Sequence, residues 1–333
     1  MTHAAPVDVL TTEVADSTVF TLDDVRRVAT SIQDAVASVI EGKPDVIRTA
    51  VVVMLAEGHL LIEDVPGVGK TMLAKSLARS VNISMRRLQF TPDLLPSDVT
   101  GVSIFNQDSR QFEFRRGAVF AGIVVGDEIN RASPKTQSAL LECMAENQVT
   151  VDGETYLLQR PFMVMATQNP IEMEGTYPLP EAQRDRFMAR ISMGYPTASA
   201  ELQMLDTHSA REPLDTLQPV TDAATVMRAI DTVTSVYASV TLRQYIVDLV
   251  SATRTSPEVR LGASPRAALQ LLRAARAHAA LEGRDHVLPE DVQRLWTTVL
   301  DHRVILGPDS TGRSTGELLS YLLQRVPVPS RSR

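Results

Sequence analysis

The chain is poor in cysteine and has no long apolar segment. Cys143 is the only cysteine among its 333 residues. No intrachain disulfide can therefore form, which favours a reducing compartment, the cytoplasm. The longest apolar run, residues 49–56, is too short to cross a bilayer. Residues 1–17 have no basic region followed by an apolar run, so we expect a poorly ordered segment and no signal peptide. These absences predict a protein that is not inserted into a membrane.

The sequence also lacks a surplus of positive charge and a set of metal-binding side chains. It has 33 Lys and Arg against 40 Asp and Glu, a formal net charge of −7. This balance does not favour a protein that coats nucleic acid or a membrane surface. The 6 histidines are scattered, and none stands in a zinc-ligand spacing with cysteine. What remains is a globular chain whose length favours two domains.

One feature that is present is a glycine loop between a strand and a helix. Residues 59–63 read as an apolar strand, a Pro/Gly turn follows, and helical spacing of apolar residues begins at Lys70. The backbone N–H groups and dipole of a helix start favour a bound anion, so this order is typical of a phosphate-binding loop. Lys70 is predicted to be a catalytic residue that reaches the β- and γ-phosphates of ATP. Thr71 is predicted to bind Mg²⁺. The residues predicted to contact the nucleotide here are Asp64, Val65, Pro66, Gly67, Val68, Gly69, Lys70, Thr71 and Met72.

One position departs from the usual pattern of such loops. The motif G-x-x-x-x-G-K-[ST] begins with glycine, and here Asp64 stands in that place. Because Gly67 and Gly69 remain in the tight part of the loop, we expect the site to survive the change. The alternative is a chance glycine-rich turn before a helix.

Polar residues also end two later apolar strands. Asp127 and Glu128 follow one of them, and Asn169 ends another. A carboxylate at Asp127 can hold Mg²⁺, usually through water, and Glu128 can orient and deprotonate the attacking water. Asn169 is placed to touch the γ-phosphate or the water, the alternative being that it only shapes the turn before Pro170. Since ligands bind at the carboxyl ends of strands in open α/β sheets, these residues are expected to face the loop.

Strands and helices alternate in the first part of the chain, where two prolines predict irregular structure over residues 91–98. Helices alone are expected afterwards, among them one over 200–208 and one that starts at Ser264 and Pro265 as cap and first residue. Turn signals predict β-hairpins at residues 102–114 and 148–158, the second around Asp152 and Gly153. The predicted divisions are a disordered N-terminus over 1–17, an α/β nucleotide-binding core over 18–196, an α-helical domain over 197–326 and a flexible tail over 327–333.

Five further strings carry a resemblance to a known family. They are Gln89–Asp98, Asp127–Ala132, Lys135–Glu142, Ala166–Pro170 and Pro178–Gln183. Together with the loop, and in this order, they resemble the AAA+ ATPases of the MoxR type. The resemblance implies an α/β fold, a five-stranded parallel P-loop AAA+ core with flanking helices, two β-hairpin insertions and a following α-helical lid. It also implies ATP bound between lid and core, and a hexameric ring.

The resemblance further implies roles for single residues. By the family pattern Asn169 is sensor 1, and Arg266 is sensor 2, a catalytic residue that also contacts the nucleotide. Arg186 is the arginine finger that reaches a neighbour's ATP. The finger motif usually reads Leu-Asp-Arg-Phe, and here Arg184 stands in place of the leucine. Arg184 and Arg131 therefore remain alternatives for the arginine that acts across the interface.

The function implied by the resemblance is a Mg²⁺-dependent ATPase that remodels other proteins. Members of the family resemble one another in assisting maturation, assembly or metal insertion of protein clients, commonly beside a partner with a von Willebrand factor A-type domain. Two alternatives stay open. A ring motor acting on nucleic acid is disfavoured by the acidic charge and the lack of a DNA-binding motif. A nucleotide-gated binding module with little hydrolysis is encouraged only by Asp64.

Overall fold

The computed structural model describes residues 19–169, 176–195, 198, 201–202, 213–310 and 312–329. Four sequence-based expectations fall wholly or mainly on other residues. They concern the disordered segment 1–17, the domain boundary at 196–197, a helix over 200–208 and the end of the tail.

The elements of the described residues alternate between strand and helix and then become mainly helical. The strands are β1 (Leu60–Glu63), β2 (Met85–Gln89), β3 (Gly101–Asn106), β4 (Gln111–Arg116), β5 (Ile123–Asp127), β6 (Gln148–Val151), β7 (Glu154–Leu157), β8 (Met163–Gln168), β9 (Ala189–Ile191), β10 (Val259–Leu261) and β11 (Ile305–Leu306). The helices are α1 (Leu22–Ala37), α2 (Pro44–Leu55), α3 (Lys70–Ser80), α4 (Pro96–Thr100), α5 (Pro134–Glu146), α6 (Glu181–Arg184), α7 (Pro213–Thr216), α8 (Ala223–Ser235), α9 (Val240–Thr255), α10 (Pro265–Leu281), α11 (Pro289–Leu300) and α12 (Thr315–Arg325).

Five parallel strands form the central sheet, in the order β2-β5-β8-β1-β9. Their side chains alternate between two apolar layers. Leu60 and Ile62 of β1 pack into the layer that contains α1, α2 and α3, whereas Leu61 packs into the layer that contains α5. Burial on both faces explains why these strands read as continuous apolar runs. The parallel sheet with flanking helices confirms the predicted core.

The helices after residue 213 form the lid, which packs on α1 and α2 rather than standing apart. One apolar cluster runs from Ile32 and Val51 to Leu271 and Trp296. The start of α10 was predicted from Ser264 and Pro265, and the Ser264 side chain indeed accepts a hydrogen bond from the N–H of Ala267 as its N-cap. The helical lid is therefore confirmed.

Two local expectations differ from the structure. No strand was expected after residue 197, yet β10 and β11 form a two-stranded antiparallel sheet within the lid. Residues 91–98 were read as irregular because of two prolines, but Pro96 stands at the first position of the short helix α4, where a missing N–H costs nothing. Both predicted hairpins are present, as β3–β4 and β6–β7.

Candidate nucleotide-binding site

The glycine loop adopts the backbone that its sequence predicts. Gly67 and Gly69 have φ angles of 84° and 93°, in the left-handed region that residues with a Cβ resist. Gly69 is the N-cap of α3, so the unpaired N–H groups of the helix start at Lys70 face the loop. The Lys70 ammonium donates to the backbone carbonyl of Asp64 at 2.8 Å. Burial lowers the pKa of Lys70, against the attraction of Asp64, Asp127 and Glu128.

Asp127 ends β5 and lies at the same edge of the sheet. It is 7% exposed, and it is the register partner of Gln89 on β2. The Thr167 hydroxyl lies 3.2 Å from Asp127 Oδ1 and accepts the Glu128 N–H at 3.0 Å. Arg87 Nε lies 2.5 Å from Asp127 Oδ2. The carboxylate is therefore fixed from both sides.

Glu128 follows with an unusual backbone and two side-chain contacts. Its φ of 57° lies in the left-handed region, which is costly for a residue with a Cβ and is common at functional sites. The Gln89 amide donates to Glu128 Oε2 at 2.9 Å, and Arg131 Nε lies 3.2 Å from the same oxygen. The side chain is 31% exposed. It is thus held in place while remaining open to a ligand.

Asn169 is buried immediately after β8, which lies between β1 and β5 in the sheet. Glu63 and Gln168 are register partners at the ends of β1 and β8, and Gly126 pairs with Ala166. The chain positions that follow the three strands are therefore neighbours. This arrangement brings Asn169 between the glycine loop and the acidic pair. Its contact with the γ-phosphate or the water stays a prediction.

Sequence reasoning missed three residues of this site, Arg87, Gln89 and Thr167. Arg87 and Gln89 stand two positions apart on β2 and therefore share one face of the strand. Arg87 Nη2 also donates to the Gln89 side chain at 3.2 Å. The sequence signal for Arg87 and Gln89 was that polar residues occupy every second position near the end of β2. It could be used only once β2 was known to pair with β5.

Arg186 and Arg266 lie toward the opposite edge of the sheet. Met188 N–H donates to the carbonyl of His59, the residue before β1, at 2.8 Å. The Ser264 hydroxyl donates to the Asp185 carboxylate at 2.8–2.9 Å. The Arg186 guanidinium donates to the carbonyl of Leu141 at 2.7 Å.

The position of Arg266 relative to the Lys70 loop decides whether it can contact the nucleotide bound by its own chain. The glycine loop follows β1, whereas Met188 is hydrogen-bonded to His59, the residue before β1. The four residues of β1 separate these two points by roughly 13 Å, at about 3.3 Å per residue. The start of α10 is tied to the segment of Arg186, not to Lys70. These contacts place Arg266 away from the Lys70 loop of its own chain, whereas binding of ATP between lid and core stays a prediction. Arg131, in contrast, lies beside Glu128.

The donor set at the carboxyl edge fits Mg²⁺ and a nucleoside triphosphate. Mg²⁺ prefers hard oxygen ligands and keeps several waters, which suits one carboxylate and one hydroxyl. Asp127 would supply the carboxylate. Thr71 would supply the hydroxyl, near the start of α3, where a helix N-terminus favours an anion. No group of three or more His, Cys, Asp or Glu side chains forms a metal site among the residues that the structure describes.

Comparison with known proteins agrees with this geometry. Residues 59–189 match the family described as "ATPase family associated with various cellular activities (AAA)", and residues 251–320 match the AAA lid domain. Chaperone MoxR1 of Mycobacterium tuberculosis is 39% identical over 88% of this chain and 80% of its own length. The chain belongs to the MoxR-type AAA+ ATPases. Protein MoxR of Methylorubrum extorquens is 31% identical over 92% of this chain and 97% of its own length.

This MoxR-type chain is also similar to a further bacterial protein and to two solved structures. YeaC of Bacillus subtilis is 49% identical over 87% of this chain and 92% of its own length. The crystal structure of a candidate ATPase from Cytophaga hutchinsonii superposes with a TM-score of 0.86 at 39% identity, covering 93% of this chain and 97% of that one. A full-length MCM homolog from Methanopyrus kandleri, with a TM-score of 0.57 and 18% identity, shares the fold alone.

Membership of this family implies nucleotide binding. Within the described ranges, no helix is both long and apolar enough to cross a bilayer.

Proposed function

We propose that this MoxR-type protein binds ATP with Mg²⁺, hydrolyses it, and couples the cycle to remodelling of client proteins. The observation that carries the proposal is the acidic pair Asp127 and Glu128, fixed at the edge of the sheet where the Lys70 loop lies. Asp127 is itself buried, and its side-chain partners come from the two neighbouring strands, Arg87 of β2 and Thr167 of β8. The enzyme class would be a Mg²⁺-dependent ATP hydrolase.

Each residue of this edge has a task in the proposal. Bound Mg²⁺ would neutralise charge on the β- and γ-phosphate oxygens, held by Thr71 and, through water, by Asp127. Lys70 exchanges the Asp64 carbonyl for phosphate oxygens. Glu128 orients the attacking water and accepts its proton, while Asn169 contacts the water or the γ-phosphate. Since Glu128 is now bonded to Gln89 and lies beside Arg131, these two partners control when its carboxylate is available.

The proposal assigns Arg186 and Arg266 to the nucleotide of a neighbouring subunit. Their place away from the Lys70 loop supports this, because neither contact described above brings them to their own acidic pair. A fixed guanidinium on the transferring phosphoryl group is worth about 10³–10⁵ in rate in GTPases, or roughly 4–7 kcal/mol of barrier. The ring is proposed to be hexameric, as in the family.

The two hairpins are the proposed client-binding surface. Phe105 and Phe112 form an edge-to-face pair at 5.4 Å near the tip of β3–β4 and are 50% and 74% exposed. Phe114 of the same hairpin stacks on Tyr156 of β6–β7 at 4.1 Å. The stack joins the two insertions into one surface with exposed aromatic rings. Such rings suit apolar segments of an incompletely folded protein.

Several finer points belong to the same proposal. The core is assigned to residues 18–196 and the lid to 197–326. A partner with a von Willebrand factor A-type domain and a cytoplasmic site of action follow the family pattern, and the single buried thiol of Cys143 accords with a reducing compartment.

The experiment measures binding of fluorescently labelled β-casein, an unfolded protein, in the presence of ATP. We expect Phe105→Ser with Phe112→Ser to weaken casein binding at least tenfold while ATP turnover stays within twofold of the wild type. Leu269→Ser, which changes a 64% exposed apolar residue of the lid, is the matched control. Unchanged casein binding in the double variant would contradict the surface. Duplex DNA that binds with a steep salt dependence, while casein does not bind, would favour the nucleic-acid motor.

A further inference from the structure

We infer that Asp64 is a positioning residue that ties the phosphate-binding loop to residues 192–194, the segment that follows β9. The motif glycine that Asp64 replaces could not make this tie. The inference rests on the proposed binding of ATP at Lys70, and it concerns how the loop is held rather than what it binds.

The carboxylate of Asp64 is buried and accepts three hydrogen bonds. It is 8% exposed. Oδ2 accepts the Gly194 N–H at 2.7 Å and the Ser192 hydroxyl at 3.0 Å, and Oδ1 accepts the Val65 N–H at 3.0 Å. Hydrogen bonds to an ionised acceptor are about twice as strong as neutral ones. Burial opposes ionisation of Asp64, but the bonds from Gly194, Ser192 and Val65 outweigh it and lower the pKa of the carboxyl group.

The backbone of the same residue is bonded on both sides. Asp64 N–H donates to the carbonyl of Gln168 at the end of β8, at 3.2 Å. Its carbonyl accepts the Lys70 ammonium at 2.8 Å. One residue therefore connects the neighbouring strand, the loop, the phosphate-binding lysine and the segment after β9. A nucleotide that draws Lys70 away acts directly on this residue.

The backbone conformation explains why glycine is not needed here. Asp64 does not have a positive φ, in contrast to Gly67 and Gly69. Since its conformation is open to any residue, a side chain at this position costs the loop nothing. Glycine would instead remove all three carboxylate bonds and add backbone freedom to the loop.

The segment after β9 also lies close to the tight part of the loop. A methyl group placed on Gly69 would lie 3.6 Å from the terminal methyl of Met193. The Lys43 ammonium donates to the carbonyl of Tyr195 at 2.9 Å, so the start of α2 holds the same segment. Because β9 is the last strand of the central sheet along the chain, Asp64 links the loop to the start of the path toward the lid.

The first test measures binding of a slowly hydrolysed ATP analogue by calorimetry. Asp64→Gly restores the motif, yet we expect it to raise the dissociation constant by about tenfold or more, which corresponds to about 1.4 kcal/mol. Asp64→Asn keeps one acceptor and should fall between Asp64→Gly and the wild type. Asp108→Gly, in an exposed turn, is the matched control and should bind as the wild type does. Equal or tighter binding by Asp64→Gly would overturn the inference.

A double-variant comparison separates the tie from a general loss of structure. Ser192→Ala should weaken binding of the analogue severalfold in the wild-type background and have no effect in the Asp64→Gly background. Equal effects of Ser192→Ala in both backgrounds would show that Asp64 does not act through Ser192.

Amide hydrogen exchange rates test the inference in the absence of nucleotide. Peptides covering residues 64–70 and 190–195 should exchange faster in Asp64→Gly than in Asp108→Gly, because the Val65 and Gly194 N–H groups lose their acceptor. Unchanged exchange there would overturn the inference. A wild type that binds no nucleotide would instead contradict the proposed function and leave the exchange result to decide the role of Asp64.

Discussion

Arg303 of the lid forms a buried ion pair with Asp185, with Nε 3.0 Å from Oδ1. The Arg303 side chain is 1% exposed, and burial lowers its pKa to about 10 although Asp185 opposes the shift. Asp185 also accepts the hydroxyl of Ser264, the N-cap of the helix that carries Arg266. Asp185 precedes Arg186 in the chain. Asp185 therefore links the segment of Arg186, the predicted arginine finger, to the start of the helix that carries Arg266, the predicted sensor 2.

Breaking this pair is expected to destabilise the fold. Asp185→Asn would leave the Arg303 charge buried without a counter-charge, which costs about 3–5 kcal/mol in comparable pairs. Urea unfolding at neutral pH should show a loss in this range, and Asp185→Asn with Arg303→Met should recover part of it. Asp45→Asn, which affects an exposed pair with Arg294, should change stability by less than about 1 kcal/mol. Wild-type stability in Asp185→Asn would refute the assignment.

Arg186 is expected to act on a neighbour's nucleotide. Arg186→Ala should lower kcat by about 10³ or more without weakening ATP binding, because the finger stabilises only the transition state. Arg260→Ala, at an exposed lid position, is the control.

Mixing two inactive variants tests the direction of this action. Subunits with Arg186→Ala still provide Glu128, and subunits with Glu128→Gln still provide Arg186. A mixture should therefore regain measurable ATP turnover at the interfaces that combine the two intact residues. If the mixture is no more active than the separate variants, Arg186 does not act across an interface.

Stability is expected to fall on mild acidification because of His59. Burial lowers the pKa of His59 to about 4 despite its contact with the carbonyl of Met144. Since Val164 N–H donates to Nδ1 at 3.0 Å, the neutral ring carries its proton on Nε2. Between about pH 6.5 and 4 the unfolded chain binds a proton that the folded chain does not. The folded state should therefore lose up to about 3 kcal/mol over this range.

The check is urea unfolding at several pH values between 7 and 4.5. Replacing His59 by Asn should flatten the dependence, whereas His286→Asn, at an exposed position, should not. His302 is also buried with a lowered pKa and acts in the same direction, so some dependence should remain. A slope unaffected by His59→Asn would contradict the account.

The sequence predicted best what local chemistry determines. The start of α10 at Pro265 follows from its cap, the hairpin β6–β7 from its Asp152-Gly153 turn, and the glycine loop from a strand followed by a helix. Each signal lies within a few residues. The family resemblance then supplied the order of the whole fold.

The features that the sequence did not predict depend on pairing between distant segments of the chain. Arg87 reaches Asp127 because β2 pairs with β5, 40 residues apart in sequence. Strands β10 and β11 have 3 and 2 residues, too few to show a period. The side of the sheet on which Arg266 lies is decided by how the lid packs on α1 and α2, which no local pattern encodes.

The central claim is that Glu128 drives Mg²⁺-dependent ATP hydrolysis in an assembled ring. The most direct measurement is steady-state ATP turnover of the wild type, Glu128→Gln and the exposed control Glu146→Gln, with particle mass by light scattering. The account predicts turnover that needs Mg²⁺, a loss of about 10²–10⁴ in Glu128→Gln with ATP binding and an assembly larger than a dimer retained, and wild-type behaviour in Glu146→Gln. Wild-type protein that binds ATP without turnover, or a Glu128→Gln variant as fast as the wild type, would contradict it.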